Sequence, residues 1–160
     1  MITPSDAFDQ VANDLVGMEL SHIWQGHGTA LFLEFGMLSE RLRRDGSVGT
    51  PKGELSVGLE FEWRIEAHRH LVCGSYGDQA LWPEVFSNLV GKDVSRVELF
   101  GVVPELRVVV AENERLQTFS LDDRGPKWAL TDNRSVPPTW IYWRNGELRC
   151  DDGRVVPNGS

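Results

Sequence analysis

The chain has 160 residues, 41% of them hydrophobic and 25% charged, which is typical of a globular protein with its own apolar core and argues against disorder. This length corresponds to a single domain, which we place at residues 1–160. The net charge of −8 argues against nucleic acid as a partner, because phosphates would be repelled over most of the surface, whereas a basic protein would be attracted.

The first predicted element is a helix that follows Thr3 and ends before Gly17. Thr3, Pro4 and Asp6 have the spacing of a helix start, with a side-chain cap and proline in the first turn. Gly17 is expected to end the helix in the left-handed conformation. The apolar face of this helix has helical spacing and consists of Phe8, Val11, Ala12 and Leu15.

The sequence at the end of this helix has a similar copy later in the chain. Residues 15–23 read LVGMELSHI and residues 89–97 read LVGKDVSRV. A second helix, with Trp82, Val85, Phe86 and Leu89 on one face, precedes Gly91, and strand-like alternation follows each glycine. The sequence therefore predicts a duplicated unit, a helix and then antiparallel strands, with the two copies related by a pseudo-twofold axis.

Both units continue as strands. The segments TALFLEFG and ELRVVVAE alternate in polarity, with Leu31, Leu33 and Phe35 on one face of the first and Leu106, Val108 and Val110 on one face of the second. Residues 54–67 alternate without a break, which predicts one long strand with an acidic outer face. Residues 69–76 are expected to pair back against it, and residues 37–53 to form a loop or a short helix with a loop.

The last predicted element is a hairpin within residues 137–153. Asn145 and Gly146 between alternating segments are typical of a type I′ turn. Trp140 and Tyr142 are expected on one face of this hairpin, and Ile141 and Trp143 on the other. The fold class is therefore α+β: two halves, residues 1–76 and 77–136, share a barrel-like or sandwich sheet core to which the hairpin is added.

Candidate chemistry is sparse. Glu66, His68 and His70 have a spacing that can chelate zinc, but a strand ending in EAHRH is more typical of a solvated rim, so we predict no metal site. No nucleophile elbow and no phosphate-binding loop is present. We therefore expect no cofactor and favour a protein without enzymatic activity.

The sequence has no run of about 18 apolar residues and no export signal, so we expect a cytoplasmic protein that does not bind membranes. Cys73 and Cys150 are then expected to be reduced thiols rather than a disulfide. The sequence leaves open whether the protein is a monomer or a homodimer.

Residues 15–153 contain, in order, the doubled LVG, GELSV leading to WRI, PKWAL and the final WRNGELRCDDG. This order of features resembles a group of small bacterial proteins of unknown function. Some such families are candidate immunity proteins encoded beside toxins. The resemblance therefore implies a binding role, and its motifs carry no catalytic residue to this chain.

Two functional hypotheses follow. In the first, an intracellular protein-binding or inhibitory module presents an acidic sheet face and aromatic side chains to a basic partner. Its predicted contact residues are Glu60, Glu62, Glu66, Trp140 and Tyr142. The alternative is a small-ligand-binding module, with a pocket between the two halves lined by Trp24, His27 and Trp63.

Overall fold

The computed structural model describes residues 2–152 and contains, within that range, two α-helices and eleven β-strands. The helices are α1 (Pro4–Leu15) and α2 (Trp82–Leu89), and a short 3-10 helix (Gln79–Leu81) precedes α2. The strands are β1 (Leu20–Gln25), β2 (Leu31–Phe35), β3 (Leu55–Leu59), β4 (Trp63–Ala67), β5 (His70–Gly74), β6 (Val94–Phe100), β7 (Glu105–Val110), β8 (Glu114–Thr118), β9 (Trp128–Asp132), β10 (Thr139–Arg144) and β11 (Glu147–Asp151). Neither helix is long and apolar enough to cross a membrane.

The strands form two antiparallel sheets that do not close into a barrel. Sheet 1 has the order β1-β2-β3-β9-β10-β11, and sheet 2 has the order β5-β4-β8-β7-β6. Apolar side chains from the inner faces of both sheets and from α1 and α2 join one buried core. The α+β class is confirmed, and of the two sheet arrangements left open by the sequence the closed barrel is excluded.

Each sheet combines strands from both halves of the chain. In sheet 1, β1–β3 from the first half are extended by β9 from the second half, and in sheet 2, β6–β8 are extended by β4 and β5 from the first half. The β10–β11 pair then adds two strands to sheet 1, with β11 at its edge. Because each half contributes to both sheets, neither half contains a complete sheet by itself.

The prediction of one long strand at residues 54–67 is wrong. The chain leaves sheet 1 after Leu59 and enters sheet 2 at Trp63. Odd-numbered residues point into the core on both sides of this crossing, for example Leu59 and Trp63, both fully buried. The alternation therefore continues through the crossing, and the pattern gives no sign that the strand has changed sheets.

The two repeated LVG segments contact each other. Gly17 and Gly91 both have positive φ, 89° and 95°, as predicted for glycines that end helices. Four main-chain hydrogen bonds join the segments reciprocally: Gly17 N to Val94 O (2.8 Å), Gly91 N to Leu20 O (2.8 Å), Leu20 N to Lys92 O (2.8 Å) and Val94 N to Met18 O (2.9 Å). Glu19 pairs with Asp93 at the centre of these hydrogen bonds. The two LVG segments therefore form a corner that joins the two sheets.

Two buried tryptophans occupy matching places on the strands that cross between the sheets. Trp63 begins β4 and donates its indole N–H to Thr29 O at 2.7 Å, while Trp128 begins β9 and donates to Pro104 O at 3.0 Å. Each also packs on an aromatic side chain of a helix. Those ring pairs are Trp63 with Trp82 of α2 (5.0 Å) and Trp128 with Phe8 of α1 (5.9 Å).

The segment 37–53 is neither a helix nor a simple loop. It extends the β2–β3 connection as an irregular hairpin, held by isolated bridges between Ser39 and Lys52 and between Leu42 and Val48. Leu42 and Val48 are exposed. The segment therefore projects from one end of sheet 1, beside the outer face described next.

Candidate functional site

The outer face of sheet 2 is covered by a continuous polar network. Gln117 lies on β8 between Arg107 of β7 and Arg64 of β4. The Arg107 Nε donates to Gln117 Oε1 at 3.0 Å, Gln117 Nε2 donates to Glu66 Oε1 at 3.3 Å, and Arg64 pairs with Glu66 at 2.8 Å. These side chains bond to one another along the row, although Arg64 Nε is buried without a hydrogen-bond partner among residues 2–152. A separate cavity of about 380 Å³ lies by the β4–β5 turn, where Glu66 and Arg115 line it.

The outer face of sheet 1 is built differently on strands β2, β3, β9 and β10. One row across β2, β3, β9 and β10 consists of Phe32, Gly58, Ala129 and Tyr142, and the next row consists of Glu34, Ser56, Thr131 and Trp140. The central strands β3 and β9 thus carry small side chains in both rows, while the flanking strands carry three aromatic side chains and the buried Glu34. The result is a groove with a volume of about 220 Å³, which we call the sheet-1 groove.

The walls of the sheet-1 groove are aromatic. On one side Phe32 stacks on Trp24, with ring centroids 4.4 Å apart, and the Arg41 guanidinium lies 5.6 Å from the Trp24 ring. On the other side are Tyr142 and Trp140, the latter 55% exposed. The positive φ of Asn145 (50°) and Gly146 (78°) forms the tight β10–β11 turn.

On β10, Ile141 is fully buried in the core and Trp143 packs against that core. Trp140 and Tyr142 lie on the opposite, outer face of β10, where they line the groove with Arg144.

Glu60 lies at the groove where the chain leaves β3. A Cβ built on Gly58 would lie 3.2 Å from Glu60 Oε1 and 3.2 Å from Phe32 Cε1, so the carboxylate and the ring meet above the same glycine. Glu60 is partly buried, and this burial raises the pKa of its carboxyl group. Its carboxylate takes part in none of the hydrogen bonds or ion pairs described for residues 2–152.

The floor of the groove is fixed by a buried polar network. Glu34 is 1% exposed and accepts hydrogen bonds from Trp24 Nε1 (3.2 Å), from Gly53 N (3.2 Å) and from the Ser56 hydroxyl. Asn133 Nδ2 in turn donates to Ser56 Oγ at 2.8 Å. Because these buried groups are satisfied by one another, the floor and the Trp24 wall are held rigidly.

The three glutamates predicted to form one acidic face do not lie together. Glu62 is 2% exposed in the crossing between the sheets, where Tyr76 Oη lies 3.4 Å and an Arg124 nitrogen 3.7 Å from its Oε1. Glu66 lies on the outer face of sheet 2, and Glu60 alone reaches the sheet-1 groove. The continuous acidic face is therefore wrong, because it depended on the uninterrupted strand.

The residues of the predicted ligand pocket are also separated. Trp63 is fully buried between the sheets, Trp24 lies on the outer face of sheet 1, and His27 is exposed in the turn between β1 and β2. The sheet lies between Trp24 and Trp63. These three side chains therefore do not line one cavity.

No group of three or more His, Cys, Asp or Glu side chains placed to hold a metal ion occurs among residues 2–152. Glu66 is bonded to Arg64 and Gln117, while His68 and His70 are exposed at the β4–β5 turn. Cys73 is buried on β5 and Cys150 lies on β11, both as free thiols.

Sequence reasoning identified Glu60, Trp140 and Tyr142 but missed the opposite wall and the floor. Phe32 was interpreted only as part of an alternating strand, and Gly58 and Ala129 carried no distinctive signal. Their meaning depends on strand pairing: Gly58 is the register partner of both Phe32 and Ala129, from segments far apart in the chain.

The comparisons add no relative from which a function could be transferred. No family model matches the chain, and neither the curated proteins nor the solved structures give a significant match.

Proposed function

We propose that this is a non-enzymatic, intracellular protein-binding module, and that the sheet-1 groove receives a segment of a basic protein partner. The observation that carries the proposal is the open groove between aromatic walls, at a row that sheet 2 fills with a bonded polar network. Partly exposed aromatic side chains around a concavity are typical anchors of protein interfaces.

The charge of the chain supports a basic partner. The net charge is −8, and Glu60 places a carboxylate without a described ion-pair partner at the groove. Electrostatic attraction of this kind speeds association and suppresses the wrong partners. The resemblance to small bacterial proteins implies that the binding is inhibitory, as in an immunity protein. Such a role requires stoichiometric binding of the partner rather than catalysis.

A duplication of one helix-and-strands unit is part of the same proposal. The reciprocal hydrogen bonds around Gly17 and Gly91, and the matching environments of Trp63 and Trp128, support it. After a duplication, positions that differ between the copies are the natural places for a new function. The outer row containing Gly58 and Ala129 differs from its sheet-2 equivalent containing Gln117 and Arg64.

The proposal is tested by affinity capture with three baits from a lysate of the cells that produce the protein. Ala129→Leu fills the groove, whereas Ala80→Leu makes the same change at an exposed site on the short 3-10 helix. We expect wild type and Ala80→Leu to retain the same basic protein and Ala129→Leu to lose it. Identical captured proteins with all three folded baits would reject the sheet-1 groove as the binding site.

A further inference from the structure

We infer that the sheet-1 groove is a pocket for a single arginine side chain of the partner. This inference rests on the proposed function and specifies what the groove recognises. The volume of about 220 Å³ is below the roughly 300 Å³ at which small-molecule pockets begin, so the groove is suited to one long side chain.

The protein repeats one way of holding arginine on its own surface. Four arginines lie over an aromatic ring, and each of the four is also within ion-pair distance of a glutamate. These groups are Arg41 with Trp24 and Glu34, Arg64 with Phe119 and Glu66, Arg107 with Phe100 and Glu98, and Arg124 with Phe61 and Glu62.

The sheet-1 groove has the same aromatic and carboxylate components without the arginine. Glu60 and the Phe32 ring meet above Gly58, and Tyr142 and Trp140 form the facing wall. No arginine of residues 2–152 lies within ion-pair distance of Glu60. A planar guanidinium stacks on aromatic faces and donates two hydrogen bonds to a carboxylate, so it fits this combination better than an ammonium group does.

The groove is surrounded by charged groups of both signs, and Arg41, which lies over Trp24, is within ion-pair distance of Glu34. Asp151 lines the groove with Glu60, and Arg144 is the single basic side chain in the lining. The Glu34 carboxylate is occupied, because it accepts hydrogen bonds from Trp24, Gly53 and Ser56 and lies 3.7 Å from Arg41. A cation entering the groove therefore meets the Glu60 carboxylate, with Arg144 as the competing guanidinium in the lining.

The test uses two probes that differ almost only in charge, N-acetyl-arginine amide and N-acetyl-citrulline amide. Each is titrated into the whole protein while the Trp140 indole N–H and the Glu60 amide are followed by NMR. We expect the arginine probe to shift these signals with at least tenfold higher affinity than citrulline. Glu60→Gln should remove most of this preference, and Ala129→Leu should abolish binding of both probes, while Ala80→Leu leaves both affinities unchanged.

Equal affinity for the two probes, or arginine-induced shifts confined to other surfaces, would overturn the arginine assignment. So would an unchanged arginine preference in Glu60→Gln, provided that its thermal unfolding shows a folded protein. The proposed function is tested separately, by the affinity capture described above. It is supported if Ala129→Leu loses the basic protein that wild type retains, and it is rejected if Ala129→Leu retains that protein.

Discussion

At the scale of single residues, two matching positions in the corner between the sheets have the same left-handed backbone, but only one of them is a glycine. Gly36 (φ 79°) and Ala111 (φ 54°) occupy equivalent places after β2 and β7, and they donate their N–H groups to Glu19 O and Asp93 O. The left-handed conformation suits glycine but costs a residue with a Cβ about 1–2 kcal/mol.

Ala111→Gly is therefore expected to raise the free energy of unfolding by about 1 kcal/mol. The gain is reduced by the larger conformational entropy of glycine in the unfolded chain. Urea unfolding followed by tryptophan fluorescence measures the difference. The reciprocal change, Gly36→Ala, should destabilise the protein, because the added Cβ meets both the unfavourable φ and the Glu54 carboxylate. A loss of stability in Ala111→Gly would show that the alanine backbone is not strained.

Residue burial was predictable where the side chain was apolar. Trp82 was placed on the apolar face of the second predicted helix, and Leu31 and Phe35 on one face of a predicted strand, and all three are buried. The burial of Glu62 was not predictable, because a charged residue in an alternating run is usually solvated. Its burial follows from the crossing between the sheets, which local sequence does not encode.

At the scale of elements, the two connections that cross between the sheets are held together by charged side chains around one ring. Arg124 and Lys127 of the second crossing lie 5.3 and 4.6 Å from the centroid of Phe61 in the first. Asp122 accepts hydrogen bonds from both, 2.8 Å from Lys127 Nζ and 2.7 Å from Arg124 Nε. Asp122 therefore holds the two cations in place over Phe61.

The Lys127 ammonium, and after it the Arg124 backbone and guanidinium, hold the pKa of Asp122 well below its ordinary value of 3.8. Since the folded-state pKa lies below the unfolded one, this carboxylate stabilises the fold above about pH 4, and the stabilisation is lost as the pH falls through the folded pKa. Asp122→Asn should lower stability at neutral pH and flatten the decline of stability below pH 4.

Chemical denaturation at a series of pH values measures this effect. The control is Asp123→Asn, which changes the neighbouring exposed carboxylate that takes part in no described ion pair. We expect its pH profile to parallel that of the wild type. If the Asp122→Asn profile also runs parallel to wild type, Asp122 does not stabilise the crossing.

Elements with a local signal were predicted best. The cap of α1 is confirmed, with Asp6 N donating to Thr3 Oγ1 at 3.1 Å, and β5 pairs back against β4 as expected. The β3–β4 break was missed because alternation is preserved across it. The hairpin-like shape of residues 37–53 was missed because its pairing is limited to isolated bridges with no regular alternation.

At the scale of the whole molecule, the α+β class was predictable, whereas the exchange of strands between the halves was not. Long-range pairing decides that β9 lies beside β3 and β4 beside β8. The same pairing makes the site, because it brings Gly58 and Ala129 together between Phe32 and Tyr142. The wall formed by Trp140 and Tyr142 could therefore be predicted from the hairpin sequence. The floor and the Phe32 wall could not, because they form only when the strands of the sheet pair.

The central claim is that the sheet-1 groove is the surface that meets the partner. Its most direct test is site-specific photocrosslinking in the cells that produce the protein, with benzoylphenylalanine replacing Tyr142 at the groove or Phe119 next to the outer face of sheet 2. We predict a discrete adduct with a basic protein from the Tyr142 position and none from the Phe119 position. An adduct formed from Phe119 and not from Tyr142, with both variants folded, would contradict the account.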